Sequence, residues 1–319
     1  MSEMILFVGI PASGKSTFAE LNKSEAVIVS SDEIRATLFG GVENQDKNDA
    51  VFTIVKTATI SNLKSGKHVF VDATNIARKR RIQFLKDIKR AVGEDHLFNA
   101  IFFPTPIEMA IKRNEERDRH VPTHVIERMY KQLSPPTTDE GFDEVYIELF
   151  HSGVKAIKFP LYTLTREKVI RERFFDILNK IIPEACGVEH INHDSPYHSE
   201  TIGEHIYRTY ENMFDYVGEY QNELIAASIF HDIGKVYAKE FHPDRGHFMF
   251  IGHENISTNI ATRYSFDVKP FNYDFFLKVI KYHMVGHQKA ESIIKVAFSQ
   301  DDQREAFEAF LKADDTAKN

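Results

Sequence analysis

Two sets of residues in this 319-residue chain have types and spacings that chemistry can use. The first is Gly9-Ile10-Pro11-Ala12-Ser13-Gly14-Lys15-Ser16-Thr17, which fits G-x-x-x-x-G-K-[ST]. In such a loop, backbone N–H groups and a helix N-terminus hold an anion. Lys15 reaches the terminal phosphates, and the Ser16 hydroxyl can hold Mg²⁺. The expected ligand is ATP or another nucleoside triphosphate with Mg²⁺, contacted by Gly9, Ser13, Gly14, Lys15, Ser16 and Thr17. The second set is a series of histidines and acids placed where helical spacing calls for apolar residues. Ile202, His205, Ile206 and Thr209 share a face, and Leu224, Ala227, Ser228 and His231 follow i, i+3, i+4, i+7. His253 stands before Ile256 and Ile260. Phe276, Val279, Ile280 and His283 repeat the series, and so do Phe307, Phe310, Leu311 and Asp314. Asp232 follows His231 directly. A lone histidine on an apolar face is usually a satisfied core residue, but an unpaired carboxylate there is costly to bury. Converging in this way, the six residues favour a metal. Imidazole and carboxylate without thiolate suit one or two ions of Mn, Fe, Co, Ni or Zn rather than a zinc finger.

Such side chains need elements to position them. The apolar run Met4–Val8 reads as a buried strand before the glycine loop, and Lys15 to Asn22 as the helix after it. Ala26–Ser30, His68–Asp72, Leu97–Phe103 and Phe142–Ile147 read as further strands, with helical stretches between them. This alternation predicts an α/β domain with a parallel sheet. Ser31-Asp32-Glu33-Ile34-Arg35 follows the second strand, which puts Asp32 and Arg35 at the carboxyl ends of the strands, where open sheets bind ligands. Asp32 can take a proton from an attacking hydroxyl, and Arg35 can hold an acceptor phosphate. Asp72 ends the third strand, where orienting Mg²⁺ water and forming a turn weigh equally. Arg113 and Arg117 lie four apart on one helix face and can neutralise charge on a transferring phosphoryl group. The helix from Arg78 to Arg90 carries seven basic residues against one acid, Asp87, a bias that suits a nucleic-acid backbone.

Composition bounds these readings. The length exceeds one typical domain, so two are expected. No apolar run approaches the roughly 18 residues of a membrane span, and the N-terminus shows no basic-then-apolar leader pattern. Cys186, the single cysteine, excludes an intrachain disulfide and suits a reducing cytoplasm. A net charge of −7 argues against indiscriminate nucleic-acid binding without excluding a local basic face.

The glycine loop, Ser31–Arg35, Asp72-Ala73-Thr74-Asn75, Arg113-Asn114 with Arg117, and Val121-Pro122 together resemble the 5′-hydroxyl polynucleotide kinases of phage and bacterial end-healing systems, over residues 4–150. The resemblance implies that Lys15 and Ser16 bind ATP·Mg²⁺, Asp32 is the general base, Arg35 binds the acceptor phosphate, and Arg113 and Arg117 embrace the ATP. Ala12 departs from the family, in which many members have glycine at this position. Related P-loop kinases that act on small molecules or proteins share much of the pattern.

Between about residues 150 and 166 the pattern breaks. Lys155–Phe159 reads as a last edge strand of the first domain before Pro160 interrupts it. The expected domains are residues 1–160 and 165–319. The second resembles the HD phosphohydrolase superfamily through Gly203-Glu204-His205, His231-Asp232-Ile233-Gly234-Lys235, Gly252-His253-Glu254, Tyr282-His283 and Lys312-Ala313-Asp314. The resemblance implies an all-α bundle in which His205, His231, Asp232 and Asp314 hold one metal. Asp232 would bridge to a second, held by His253 and His283. Lys235 is a candidate for the scissile phosphate. His287 is not assigned as a ligand; His198 and His247 are candidates only for substrate contact.

A kinase and a phosphohydrolase in one chain have a joint meaning. Broken RNA often carries a 5′-OH and a 2′,3′-cyclic phosphate or 3′-phosphate, whereas a ligase needs the opposite arrangement. The expectation is a bifunctional enzyme that heals RNA or DNA ends for a separate ligase. No D-x-D-x-T phosphatase motif is present, so the HD-like half would remove the 3′ phosphate. Two other readings use the same motifs. One is a nucleoside or small-molecule kinase fused to an HD nucleotidase, and the other is a nucleotide-sensing regulatory ATPase.

Overall fold

Each apolar run of the first half becomes a strand of one sheet. In the computed structural model, β1 (Glu3–Val8), β2 (Val27–Ser30), β3 (Val69–Asp72), β4 (Leu97–Phe102) and β5 (Val145–Ile147) pair in the order β2-β3-β1-β4-β5, all parallel. Parallel neighbours need crossover connections, and helices supply them. These are α1 (Lys15–Leu21), α2 (Ser31–Phe39), α3 (Asn48–Lys64), α4 (Arg78–Val92), α5 (Ile107–Glu115) and α6 (Thr123–Gln132). The structure describes residues 1–39, 48–118, 120–196 and 199–318. They divide into two units, 1–155 and 156–319.

Because β1 lies between β3 and β4, the strand order reverses around it, and the crevice at its carboxyl end is the glycine loop. An aromatic cluster beneath fixes that end. Phe7 on β1 meets Phe18, Phe70 and Phe103 at ring-centroid distances of 5.6, 5.3 and 5.6 Å. Phe18 belongs to α1, so the helix carrying Lys15 and Ser16 is pinned to the sheet core.

The basic helix differs from the expectation. Arg81 is fully buried and paired with Glu140, its Nε and Nη2 donating to the two carboxylate oxygens at 2.7 and 2.6 Å. Its Nη1 donates to the Asn75 and Ile76 carbonyls. Arg78 pairs with Asp139 at 2.8 Å. Two of the seven cations are thus neutralised by acids about sixty positions away in sequence. Lys89 is half-buried over the Phe98 ring, leaving Lys79, Arg80, Lys86 and Arg90 exposed.

The second unit is mostly helical. It comprises α7 (Leu161–Arg166), α8 (Arg171–Ile181), α9 (Ile202–Asn212), α10 (Gln221–Phe230), α11 (Lys235–Ala238), α12 (His253–Ala261), α13 (Tyr273–His287), α14 (Glu291–Ala297) and α15 (Asp301–Thr316). Two small sheets join them. In one, β6 (Ile157–Phe159) pairs in parallel with β9 (Tyr264–Phe266); in the other, β7 (Glu240–His242) pairs antiparallel with β8 (His247–Met249). The segment expected as an edge strand of the first sheet therefore belongs to the second unit. Its apolar residue decides this: Phe159 is fully buried, 5.5 Å from the Phe230 ring and 6.1 Å from Phe266. Helix α10 is buried along nearly its whole length and packs against α9, α13 and α15, so residues at its carboxyl end face a closed interior.

Arg81→Met is expected to lower the stability of the first unit by about 3–5 kcal/mol, because Glu140 is left buried without its partner. Arg81→Met/Glu140→Leu should recover most of that loss. Urea unfolding of the full-length variants, followed at the first-unit transition, checks both outcomes.

Candidate active sites

In the first unit the glycine loop runs from the end of β1 into α1. Ala12 sits at φ 61°, a left-handed conformation that costs an L-residue about 1–2 kcal/mol, which accounts for the usual glycine there. Gly14 has φ 98°, and a Cβ on it would lie 2.3 Å from the His151 carbonyl oxygen, so the loop after β5 presses directly on the phosphate loop. Arg113 holds that neighbouring loop, donating from Nη1 to the His151 carbonyl at 2.8 Å. Lys15 is buried and folded over the loop, its Nζ donating to the Gly9 and Ile10 carbonyls and to Ser13 Oγ at 3.0, 2.8 and 3.1 Å. Burial lowers its pKa to about 8, against the attraction of Asp72 and with the repulsion of Arg117. Thr17 is exposed in the first turn of α1.

Ser16 Oγ donates to Asp72 Oδ2 at 2.9 Å. The hydroxyl and the carboxylate at the end of β3 therefore form one oxygen pair at the mouth of the loop, a donor set that suits a hard cation such as Mg²⁺. Asp32 lies in the first turn of α2 with its side chain 58% exposed. Arg35, one turn on, is buried; its Nη1 donates to Asp32 Oδ1 and its Nη2 to Asn48 Oδ1, both at 2.8 Å. The arginine thus anchors the acid rather than standing open, and only its buried Nε lacks a partner among the described residues. Arg117 is exposed just beyond α5.

In the second unit, two groups of ligand-type atoms converge. His205, His231 and Asp314 form one, and Asp232, His253 and His283 the other; within each, the potential ligand atoms lie within 4.8 Å of one another, and all six residues are buried. His205 comes from α9, His231 and Asp232 from the end of α10, His253 from the first turn of α12, His283 from α13 and Asp314 from α15. A backbone carbonyl orients each of three rings. Nδ1 of His231, His253 and His283 lies 2.9, 2.7 and 2.7 Å from the carbonyl oxygens of Ser228, Phe250 and Ile280. A carbonyl only accepts, so each Nδ1 carries a proton and, in the neutral ring, each Nε2 turns its lone pair inward.

The lone pairs of His253 and His283 face each other, their Nε2 atoms 3.1 Å apart, and Nε2 of His231 lies 3.4 Å from Nε2 of His205. His205 Nε2 lies 2.8 Å from Asp314 Oδ1. Asp232 presents Oδ2 to the first group, 3.4 Å from both His205 and His231, and Oδ1 to the second, 3.1 Å from His253 and 3.7 Å from His283. Asp232 Oδ1 and Asp314 Oδ1 are buried, with imidazole nitrogens as their nearest polar neighbours. Burial pushes both carboxyls up, but Lys235 and His231 on Asp232, and His205, His231 and His287 on Asp314, hold both well below the usual range. Burial lowers His231, yet Asp232 and Asp314 outweigh it and raise the imidazole. His283 is driven well below its ordinary value by burial and by His253 and His231. Ionised carboxylates and inward lone pairs around one point fit a divalent cation.

Gly234 sets the spacing between the helices that carry the second group. A Cβ there would lie 2.3 Å from the His253 carbonyl oxygen and 2.7 Å from the Ser257 nitrogen, so the turn after Asp232 packs backbone to backbone on α12. Lys235, next in sequence, is buried with Nζ 2.7 Å from Asp232 Oδ2.

Several residues stand out only in the structure. The bond to Ser16 distinguishes Asp72 from a turn-forming acid. His287 Nε2 sits 2.6 Å from Asp314 Oδ2; its position one turn beyond His283 on α13 was the available signal. Glu200 Oε1 lies 3.6 Å from His205 Nδ1, and buried His193 touches Lys235; both precede α9, where no periodicity marks them. His247 lies in β8, with Nδ1 2.8 Å from the Phe248 carbonyl oxygen. His198 lies outside the described residues.

Comparison with known proteins agrees with this architecture. Residues 4–136 match the AAA domain family and residues 202–310 match the HD domain family. The chain therefore joins a P-loop domain of the AAA type to an HD domain. Two curated relatives are each 28% identical over 149 residues, 44% of this chain. One is "L-seryl-tRNA(Sec) kinase" of Methanococcus maripaludis, the other "Transcription factor bHLH140" of Arabidopsis thaliana. The match spans 56% of the first and 15% of the second. A chain in the structure of the Pnkp1/Rnl/Hen1 RNA repair complex is 27% identical, with a TM-score of 0.36, covering 41% of this chain and 44% of that one. Among the described residues, no helix is long and apolar enough to cross a membrane.

Metal-stripped protein is expected to take up about two equivalents of Mn²⁺ and to melt at a higher temperature with it, because binding to the folded state alone stabilises it. His283→Ala should remove one equivalent and leave the other. Calorimetric titration with parallel thermal melts checks this. Lys15 generates a second expectation. Its pKa is about 8 without ligand, and a polyphosphate set against it favours the ammonium form. The complex therefore binds more protons than the free protein above that pH, so ATP affinity falls as pH rises through 8, by at most about tenfold per unit. Titration of the magnesium nucleotide at pH 7 and 9, in buffers of different ionisation enthalpy, measures the affinity and the proton uptake together.

Proposed function

We propose that this chain is a bifunctional enzyme that prepares nucleic-acid ends, adding phosphate to a 5′-hydroxyl with one unit and removing a 3′-terminal or 2′,3′-cyclic phosphate with the other. The observation that carries the proposal is the pairing of an Asp32–Arg35 acceptor site beside a phosphate loop with a second unit that turns four imidazoles and two carboxylates onto one interior. One site is suited to putting phosphate on a hydroxyl and the other to taking it off. A seryl-tRNA kinase among the relatives supports an acceptor hydroxyl carried on RNA.

In the first unit, Asp32 accepts the proton of the attacking hydroxyl, its carboxylate oriented by Arg35. Lys15, released from the Gly9 and Ile10 carbonyls, turns its charge onto the terminal phosphates, and exposed Arg117 adds a second cation. Arg113 keeps the His151 loop against Gly14, so the cradle does not open. Ser16 and Asp72 would hold Mg²⁺. In the second unit, His205, His231 and Asp314 would hold one divalent ion and His253 and His283 another, with Asp232 shared between them. Such ions supply Lewis-acid polarisation of the phosphoester and an acidified water. Lys235 offers an ammonium at the same interior.

A second reading has a specific observation in its favour. Arg78 and Arg81 are used in internal ion pairs, which thins the basic face available to a long polynucleotide and favours a short or small-molecule acceptor.

The test uses a short RNA with a 5′-OH and a 2′,3′-cyclic phosphate, incubated with ATP, Mg²⁺ and Mn²⁺, with both ends resolved. Lys15→Ala is expected to abolish only the 5′ reaction and Asp232→Ala only the 3′ reaction. Wild type that leaves both ends untouched while phosphorylating nucleosides would replace this reading with the small-molecule one.

A further inference from the structure

Lys235 is held from two sides. Its Nζ is 2.7 Å from Asp232 Oδ2 and 3.2 Å from Nε2 of His193, and both side chains are buried. His193 comes from the segment before α9, forty-two positions away in sequence. Its Nδ1 lies 2.9 Å from the Glu200 carbonyl oxygen, so Nδ1 carries the proton and the Nε2 lone pair faces the ammonium. The Phe250 ring closes another side, with its centroid 5.5 Å from Nζ and 5.6 Å from the His193 ring. Nothing in the metal groups uses His193.

A lysine tethered only to Asp232 would settle its whole charge on that carboxylate. A neutral imidazole opposite gives the ammonium a second acceptor and draws it partly off the acid. The ammonium is then held between two acceptors, with the Phe250 ring on a further side. Asp232 Oδ2 also faces the group formed by His205 and His231, so the held ammonium lies beside the interior where the phosphoester would react.

We propose that His193 is a positioning residue for Lys235, holding its ammonium where the resemblance expects it to meet an oxygen of a phosphoester or of inorganic phosphate. This rests on the phosphohydrolase reading of the second unit. No bond is made or broken at the ammonium; it binds charge in the ground state, so it governs affinity for phosphate more than turnover.

The experiment uses the full chain loaded with Mn²⁺, with 4-nitrophenyl phosphate as substrate and inorganic phosphate as ligand. His193→Ala is expected to raise the phosphate Kd and the KM about tenfold, with kcat changed by less than about threefold. His193→Gln, whose amide oxygen also accepts, should restore most of the affinity. Lys235→Met should lose as much as His193→Ala, and adding His193→Ala to it should cost less than about threefold more. Equal losses from His193→Ala with and without Lys235, or no loss at all, overturn the proposal. A lowered melting temperature in His193→Ala without rescue by His193→Gln also overturns it, since that marks a structural role. Wild type that neither binds phosphate nor cleaves the ester fails the phosphohydrolase reading itself, whereas an active wild type with an unaffected His193→Ala fails this inference alone.

Discussion

Lone pairs that point at one another cannot be left alone in a dry interior. Two neutral imidazole nitrogens 3.1 Å apart repel unless a cation lies between them, yet the second unit builds that arrangement with His253 and His283 and places ionised carboxylates beside it. The device that enforces it is local. In His231, His253 and His283 the Nδ1 faces the carbonyl three residues earlier in the chain, so each backbone fixes its own ring before any tertiary packing. Packing then only has to bring the backbones together. Buried α10, the glycine contact between Gly234 and α12, and the apolar faces of α13 and α15 do so.

The first unit meets its ligand differently. Its site stands on strand ends and loops, and its charged groups satisfy one another while waiting. Lys15 lies on loop carbonyls, Ser16 on Asp72 and Arg35 on Asp32. Each of these bonds is one that an incoming polyphosphate or hydroxyl can replace with its own oxygens. The aromatic cluster under Phe7 and Phe18 keeps the exchange local, because the helix behind the loop cannot yield.

What the sequence made legible follows from range. The strands, the glycine loop and the histidine-bearing helices are set by neighbours a few residues apart, and four of the five strands lie within one position of their expected bounds, whereas β5 begins three residues after Phe142. What stayed hidden depends on distant partners. Counting charges along α4 could not reveal that Glu140 reaches back to bury Arg81, nor that Asp139 takes Arg78. Ile157–Phe159 has strand character, but only the second unit's β9 and the Phe230 ring decide which sheet receives it. His193 and Glu200 sit in irregular chain with no repeat to mark them, although they complete the surroundings of Lys235 and His205. Asp72 had the right position at a strand end and lacked only a partner to show its role.

The two sites shift the protonation of their own residues in different ways. In the phosphate loop a lysine is buried, with Arg117 adding to its cost, and its pKa is lowered to about 8. In the histidine site Asp232 and Asp314 are held well below the usual carboxylate range despite burial, His231 is raised by both, and His283 is lowered by burial and by the neighbouring imidazoles. A group shifted by burial alone would favour its neutral form in each case. The lysine follows that rule and the aspartates break it, because around the aspartates Lys235 and the imidazoles supply charge or donors for the carboxylates.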